Sequence, residues 1–270
     1  MDTLDRLYEE YQKKGDQWDH PICQFIFLRT YARLKNDGTK ESFSDVCYRC
    51  VKNIFNVFLE KNDLNDIQET PSEMFQLMIE KKFCVAGRSL FASTEKNIKK
   101  IGGLPLYNCC CLSINSYLHD PAMFFYKLQD RLMLGLGVGF DALPKEEILL
   151  YDPKEEEETY IVPDDRESWC LSVYKLLNSY FKGDKTIKFE YHLIREKGIR
   201  LSFGGVSSGY QVLETAHNRI RELLKDNLAQ SDKFGAKRVK PKLTSRIVID
   251  VAGVISAMVI SGAKQFNGFN

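Results

Sequence analysis

NCCCLSINSYLHDPAMFFYKLQDRLMLGLGVGFD, residues 108–141, holds in one stretch the alternation on which the fold turns. Gly102 and Gly103 lead into a short apolar segment around Cys109-Cys110-Cys111, and Ile101 to Ile114 therefore reads as a loop feeding a buried strand. Asp120-Pro121 then opens a helix through Leu134. A proline at the first helical position lacks only an N–H that would have no partner there, and the acid before it suits an N-cap. Leu134-Gly135-Leu136-Gly137-Val138-Gly139-Phe140 terminates that helix, because alternate glycines permit backbone geometries closed to other residues and let a chain segment or ligand come close.

The same alternation extends outward. Upstream, Phe25 to Leu59 is helical in pattern around a charged break at Lys35 to Glu41. Thr70-Pro71-Ser72-Glu73 combines an N-cap, a first-turn proline and a capping-box acid, so a helix is expected from there until about Gly87. Downstream, the acidic run Glu155 to Glu158 is expected to be a solvated loop, since like charges repel and stay wet. Pro163-Asp164-Asp165-Arg166-Glu167 opens a helix whose stripe is Trp169, Val173, Leu176, Leu177 and Tyr180. A second glycine-rich passage, Ser202 to Gly209, precedes a helix with Leu213, Ala216, Ile220 and Leu223 on one side. The last helix, Ile247 to Ile260, is apolar nearly all round and is expected to lie buried between other elements. Helices alternating with short strands and glycine-rich turns define an α/β class, with no repeat at solenoid periods.

Composition narrows the function. Lys plus Arg (38) and Asp plus Glu (37) nearly cancel over 270 residues, so no overall basic field favours nucleic acid or an anionic membrane. The longest apolar run, Val248 to Ile260, contains Asp250 and falls short of the roughly 20 residues that a bilayer span needs. The amino terminus has neither a secretory nor a transit character. Eight cysteines that include a triplet fit a spaced disulfide framework poorly, and a reducing, cytoplasmic compartment is expected.

Local chemistry leaves alternatives open. On a strand, Cys109 and Cys111 share one face and Cys110 takes the other; all three could be small core hydrophobes, and neighbours cannot readily pair with each other without strain. Cys47-Tyr48-Arg49-Cys50 has a zinc-like spacing, but no second such pair or spaced histidine accompanies it, so no metal is expected. The glycine-rich passages Leu136 to Phe140 and Phe203 to Gly209 could cradle phosphate or sugar with backbone N–H groups, although neither matches a phosphate loop or dinucleotide fingerprint. Asp120 reads as an N-cap or a ligand contact. Arg166 and Glu167 read equally as an active-site pair or as helix-start charges.

Taken in order, these segments resemble the large catalytic subunit of ribonucleotide reductase, particularly its adenosylcobalamin-dependent (class II) branch. Arg29-Thr30-Tyr31-Ala32-Arg33 resembles an amino-terminal family segment, Ala86 to Phe91 a Gly-Arg-x-Leu-Trp passage, and Leu106-Tyr107-Asn108-Cys109 a Leu-Asn-Asn-Cys strand. Leu136 to Asp141 looks like the Gly-Val-Gly-Phe turn, and Pro163 to Trp169 like Pro-Asp-x-Arg-Glu-Gly-Trp. Ile194-Arg195-Glu196-Lys197-Gly198 with Phe203 to Gly209 resembles Ile-Arg-Pro-x-Gly followed by Gly-Phe-Gly-Gly-x-Ala-Ser-Gly. The likeness runs from about Phe25 to about Lys264.

The resemblance implies a mainly helical amino-terminal region over 1–100, then the first half of a ten-stranded α/β barrel over 101–270. It implies thiyl-radical reduction of a ribonucleoside di- or triphosphate, with Cys109 as one of two reducing thiols, held in a dry pocket where the sugar meets it. Asn108, Gly204, Gly205, Ser207, Ser208 and Gly209 would help bind substrate, and Asp120 a deoxynucleotide effector. Adenosylcobalamin would be the cofactor, and an external dithiol would regenerate the thiols. The radical cysteine and the second reducing thiol lie far downstream in the family, so a second polypeptide completing the barrel is expected. Two features depart from the family: Cys110 and Cys111 replace non-cysteine residues, and after Ser261 the arginines of a Gly-x-x-Arg-Arg loop are missing. The other class of function to weigh is a catalytically silent nucleotide-binding or regulatory fragment.

Overall fold

Pro121, with Asp120 before it, starts a helix that runs to Met133 in the computed structural model, which describes residues 3–35, 37–61, 70–199, 206–233 and 241–263. The chain divides into two units, Met1–Asn108 and Cys109–Asn270.

The first unit is helical: α1 (Thr3–Lys14), α2 (Pro21–Thr30), α3 (Phe43–Lys61), α4 (Thr70–Ile79), α5 (Gly87–Ala92) and α6 (Glu95–Ile101). Local chemistry sets these starts. The His20 ring accepts from the Ile22 N–H at 3.2 Å with Pro21 in the first turn, and the Thr94 hydroxyl accepts from the Asn97 N–H at 3.2 Å. Val46, Cys47, Cys50 and Val51 form the buried face of α3, packed in one cluster with Phe75 and Met78 of α4. Cys47 and Cys50 are thus core residues, and among the described residues no group of three or more His, Cys, Asp or Glu could hold a metal ion. Arg49, on the same helix, donates from Nε and Nη2 to the Glu41 carboxylate at 2.8 and 2.9 Å and from Nη2 to the Leu90 carbonyl at 2.9 Å. The helix from Thr70 was expected to reach about Gly87; it stops at Ile79, and Lys81 takes a left-handed φ of 59° just beyond it.

The second unit repeats a strand–helix–strand pattern. β1 (Cys109–Ser113) is followed by α7 (Pro121–Met133) and β2 (Gly137–Asp141), which pairs parallel with β1. β3 (Lys154–Ile161) is followed by α8 (Arg166–Lys182) and β4 (Lys185–Glu190), again parallel. Two long helices, α9 (Gln211–Lys233) and α10 (Ser245–Ala263), complete it. The core gathers Phe124, Phe125 and Leu128 from α7, Val173, Leu176 and Leu177 from α8, Leu213, Ile220 and Leu224 from α9, and Val248, Val251 and Ile255 from α10. The stripes expected for α8 and α9 all face this core or pack beside it; on α9 Leu223 is partly buried at its margin, and Leu224 next to it is fully buried.

Several sequence expectations are corrected here. Glu155 to Glu158 lie within β3, exposed as expected but in a strand; backbone pairing with β4 holds the run extended while its carboxylates stay in water. Residues 137–140 form a strand and do not merely terminate α7. β1 is only half buried. α10 is not enclosed: Ile249 and Ile260 are each 54% exposed, and Val254, Ala257 and Met258 line an open groove with Val212 and Ala216 of α9.

Gly183 ends α8 in the left-handed region at φ 60°, donating its N–H to the Ser179 carbonyl. A Cβ there would lie 3.1 Å from the Cβ of Tyr151. Gly183→Ala is therefore expected to destabilise the unit by about 1–2 kcal/mol, read as a lower urea midpoint with an unchanged m-value.

Candidate functional site

The parallel register sets β1 against β2 with Cys109 opposite Gly137, Cys110 opposite Val138 and Cys111 opposite Gly139. Alternation puts Cys109 and Cys111 on one face, where both are exposed, and sends Cys110 to the other, where it is partly buried and its thiol is pushed up by desolvation. The residues directly opposite the exposed thiols are glycines, so no β2 side chain stands beside them; the next position on that face is Asp141, which accepts from Ser113 Oγ at 3.0 Å. A Cβ on Gly139 would sit 3.7 Å from the Cys111 sulfur, occupying space that the glycine leaves clear.

Cys109 is exposed, and the four described strands make two separate pairs, so among the described residues of the second unit no dry pocket of the kind expected encloses it. A set of three small core hydrophobes is equally excluded, since two of the three thiols point outward. All eight cysteines are free thiols.

Asp120 occupies the cap position of α7 without making the cap bond. Its backbone sits at φ −147° and ψ 75°, and the carboxylate turns away: Oδ2 accepts from the Tyr174 hydroxyl of α8 at 3.1 Å, while Oδ1 is buried with no hydrogen-bond partner in the described residues. A buried, unpartnered carboxylate oxygen is costly, which distinguishes Asp120 from an ordinary capping acid. At α8 the cap is Asp165, whose Oδ1 accepts from the Ser168 N–H at 2.7 Å. Arg166 instead bridges α8 to α7, with Nη1 2.9 Å from Asp130 and Nη2 2.6 Å from Glu167; Arg131 also contacts Asp130. Arg166 and Glu167 thus belong to an ion-pair network that joins two helices.

Of the glycine-rich passage, Gly204 and Gly205 lie outside the described residues. Ser207 and Gly209 are buried and Ser208 is half-buried, ahead of α9. The structure brings Ser207 and Gly209 together: the Gly209 N–H donates to Ser207 Oγ at 3.1 Å, and the Ser207 backbone exchanges hydrogen bonds with Gly198 and Ile199 at 2.9 and 2.7 Å. Asn108, at the end of the first unit, is exposed.

One group escaped the sequence reading. His217 is fully buried on α9, between the Ser172 hydroxyl of α8 at 3.0 Å and the Tyr191 hydroxyl at 2.8 Å, with Phe189 of β4 stacked on its ring at 4.0 Å. Burial, with the nearby Arg221 charge, pushes its pKa down to about 3. The signal was available: position 217 falls within the stripe of Leu213, Ala216, Ile220 and Leu224, where a polar ring must find buried partners.

A helical unit is followed by two parallel strand–helix–strand units, with two thiols exposed on one strand face, which defines an α/β chain. Residues 4–95 match the family model described as the ribonucleotide reductase alpha domain. The chain is 34% identical to an adenosylcobalamin-dependent ribonucleoside-triphosphate reductase of Euglena gracilis, over 81% of this chain and 32% of that protein. It is 30% identical to a probable adenosylcobalamin-dependent ribonucleoside-triphosphate reductase of Dictyostelium discoideum, over 94% of this chain and 36% of that protein. A crystal structure of a B12-dependent (class II) ribonucleotide reductase superposes with a TM-score of 0.75 at 20% identity, covering 96% of this chain and 42% of that one, so the two share a fold. Residues 4–95 are thus similar to the ribonucleotide reductase alpha domain, and the chain spans about a third of the length of the curated relatives it matches.

Proposed function

We propose that this chain supplies the amino-terminal part of a ribonucleotide reductase, with Cys109 as one of the two thiols that reduce the ribose. What carries the proposal is the register of β1 on β2, which sets an exposed Cys109 opposite Gly137, within a chain similar to this family. The reaction balances as ribonucleotide plus two thiols giving deoxyribonucleotide, one disulfide and water. Cys109 contributes one hydrogen equivalent and one sulfur of the disulfide, and an external dithiol restores it by exchange.

The remaining roles follow the sequence resemblance. The 1–100 region is mainly helical, and the 101–270 portion carries barrel strands. Asn108 and the Ser207–Gly209 backbone hold the substrate nucleotide, together with Gly204 and Gly205. The orphaned Oδ1 of Asp120 is a place for a donor from a deoxynucleotide effector. Adenosylcobalamin, by which the relatives are named, would supply the radical; no residue of this chain is assigned to it, and no step here runs through it. The thiols completing the site belong to the remaining length of the family, supplied in the second polypeptide that the resemblance implies. That polypeptide would cover the face of β1 on which Cys109 is exposed and give it its dry pocket. We place the assembly in the cytoplasm, where free thiols persist.

The chain mixed with a polypeptide carrying the family's remaining portion, adenosylcobalamin and a dithiol is expected to convert ribonucleoside triphosphate to its deoxy form. No product with a competent partner, alongside retained nucleotide binding, would favour a silent nucleotide-binding fragment instead.

A further inference from the structure

We infer that His217 is a positioning residue that, through Tyr191, holds together two described stretches, residues 191–199 and 206–210; its bearing on substrate rests on the proposed nucleotide role of Ser207–Gly209. Ser172 Oγ lies 2.7 Å from the Trp169 carbonyl and 3.0 Å from His217 Nε2. A hydroxyl has one proton, and the Trp169 carbonyl can only accept, so Ser172 donates there and accepts from an Nε2–H. His217 Nδ1 is then a bare lone pair, and the Tyr191 hydroxyl, 2.8 Å away, donates to it. One neutral tautomer satisfies every partner.

Tyr191 directly follows β4, and its ring stacks on Tyr210 at 5.7 Å and 18° just before α9, so the two stretches meet at this ring. Further in, the Gly198 N–H donates to the Ser207 carbonyl and the Ser207 N–H to the Ile199 carbonyl, which ties the two stretches together. Phe189 packs the other side of the imidazole, and Arg221, one turn along α9, lies 5.3 Å from the Phe189 ring and donates to the Ile187 carbonyl of β4. The ionisable groups around this stack are Arg221 and Glu214 on α9. Fixing Tyr191 thereby fixes Tyr210 and the residues immediately before it, Ser207 to Gly209.

Tyr191→Phe keeps the stack and removes only the hydroxyl, so the core survives; His217→Phe removes both hydrogen bonds. Amide hydrogen exchange on the full chain is expected to rise about three- to tenfold at Gly198 and Ser207 in both variants, the loss of one hydrogen bond's net worth. Amides of α9 between Leu213 and Leu224 should be unchanged in Tyr191→Phe. A rise spread evenly over α8, β4 and α9, or no rise, would overturn the positioning role. Ribonucleoside triphosphate added to the wild-type chain reports separately on the second stretch: if it protects no amide at Ser207 to Gly209, the nucleotide role fails while the exchange result for His217 stands on its own.

Discussion

Cys109→Ser is expected to lower deoxynucleotide formation by the reconstituted reductase about a thousandfold or more while leaving ribonucleotide affinity unchanged. The substitution is nearly isosteric on an exposed strand position, so neither β1 nor its pairing with Gly137 should suffer. What is lost is redox capacity, because a hydroxyl cannot form the disulfide that balances removal of the ribose oxygen. The triplet supplies its own controls. Cys110 points to the opposite, partly buried face with its thiol pushed up by desolvation, so Cys110→Ser should keep turnover. Cys111 shares the face of Cys109 but lies two residues along the strand. If Cys111→Ser were inactive and Cys109→Ser active, the role would move to position 111. Steady-state turnover and nucleotide titration on the three variants decide between them.

Acid should destabilise the second unit through His217. Its pKa falls from 6.5 to about 3 on folding, under burial and the Arg221 charge. Between those values the unfolded chain binds a proton that the folded chain does not, so stability rises with pH across the window and falls as acid is added. The slope is about 1.4 kcal/mol per pH unit and accumulates to about 5 kcal/mol near pH 3. Above 6.5 this group contributes no pH dependence. Asp45 and Asp141, whose carboxyls are held below their ordinary value, act in the same direction but only below about 3.8. Urea unfolding at pH 5 against pH 7 therefore isolates the histidine, and His217→Gln, which retains a donor toward Ser172, should remove about 2 kcal/mol of the difference. An undiminished difference in that variant would show that some other group carries the acid sensitivity.

Much of the fold was legible because its signals are local. Pro121 marks a helix start whatever surrounds it, since a missing N–H is harmless only there. The stripes of α8 and α9 follow from a 3.6-residue period that any one-sided core imposes. Where expectations failed, the deciding partner was distant in sequence. Glu155 to Glu158 look like a solvated loop until β4, about thirty residues on, pairs with their backbone. Asp120 satisfies the sequence rule for a cap, yet Tyr174 of α8 draws its carboxylate elsewhere. The apolar wealth of α10 suggested full enclosure, but only one face meets the core.

The same division runs through the candidate site. Sequence alone determined that Cys109 and Cys111 share a face, that glycines would lie at positions 137 and 139, and that the ordered motifs resemble one enzyme family, because alternation, residue identity and order are properties of the chain. Only tertiary structure decided that those glycines stand beside those thiols, that Cys109 and Cys111 are exposed among the described residues, and that a buried histidine holds Tyr191 beside Tyr210. Register and burial depend on which distant strand or helix arrives alongside, and that choice is made by packing the whole core, not by any stretch of neighbouring residues.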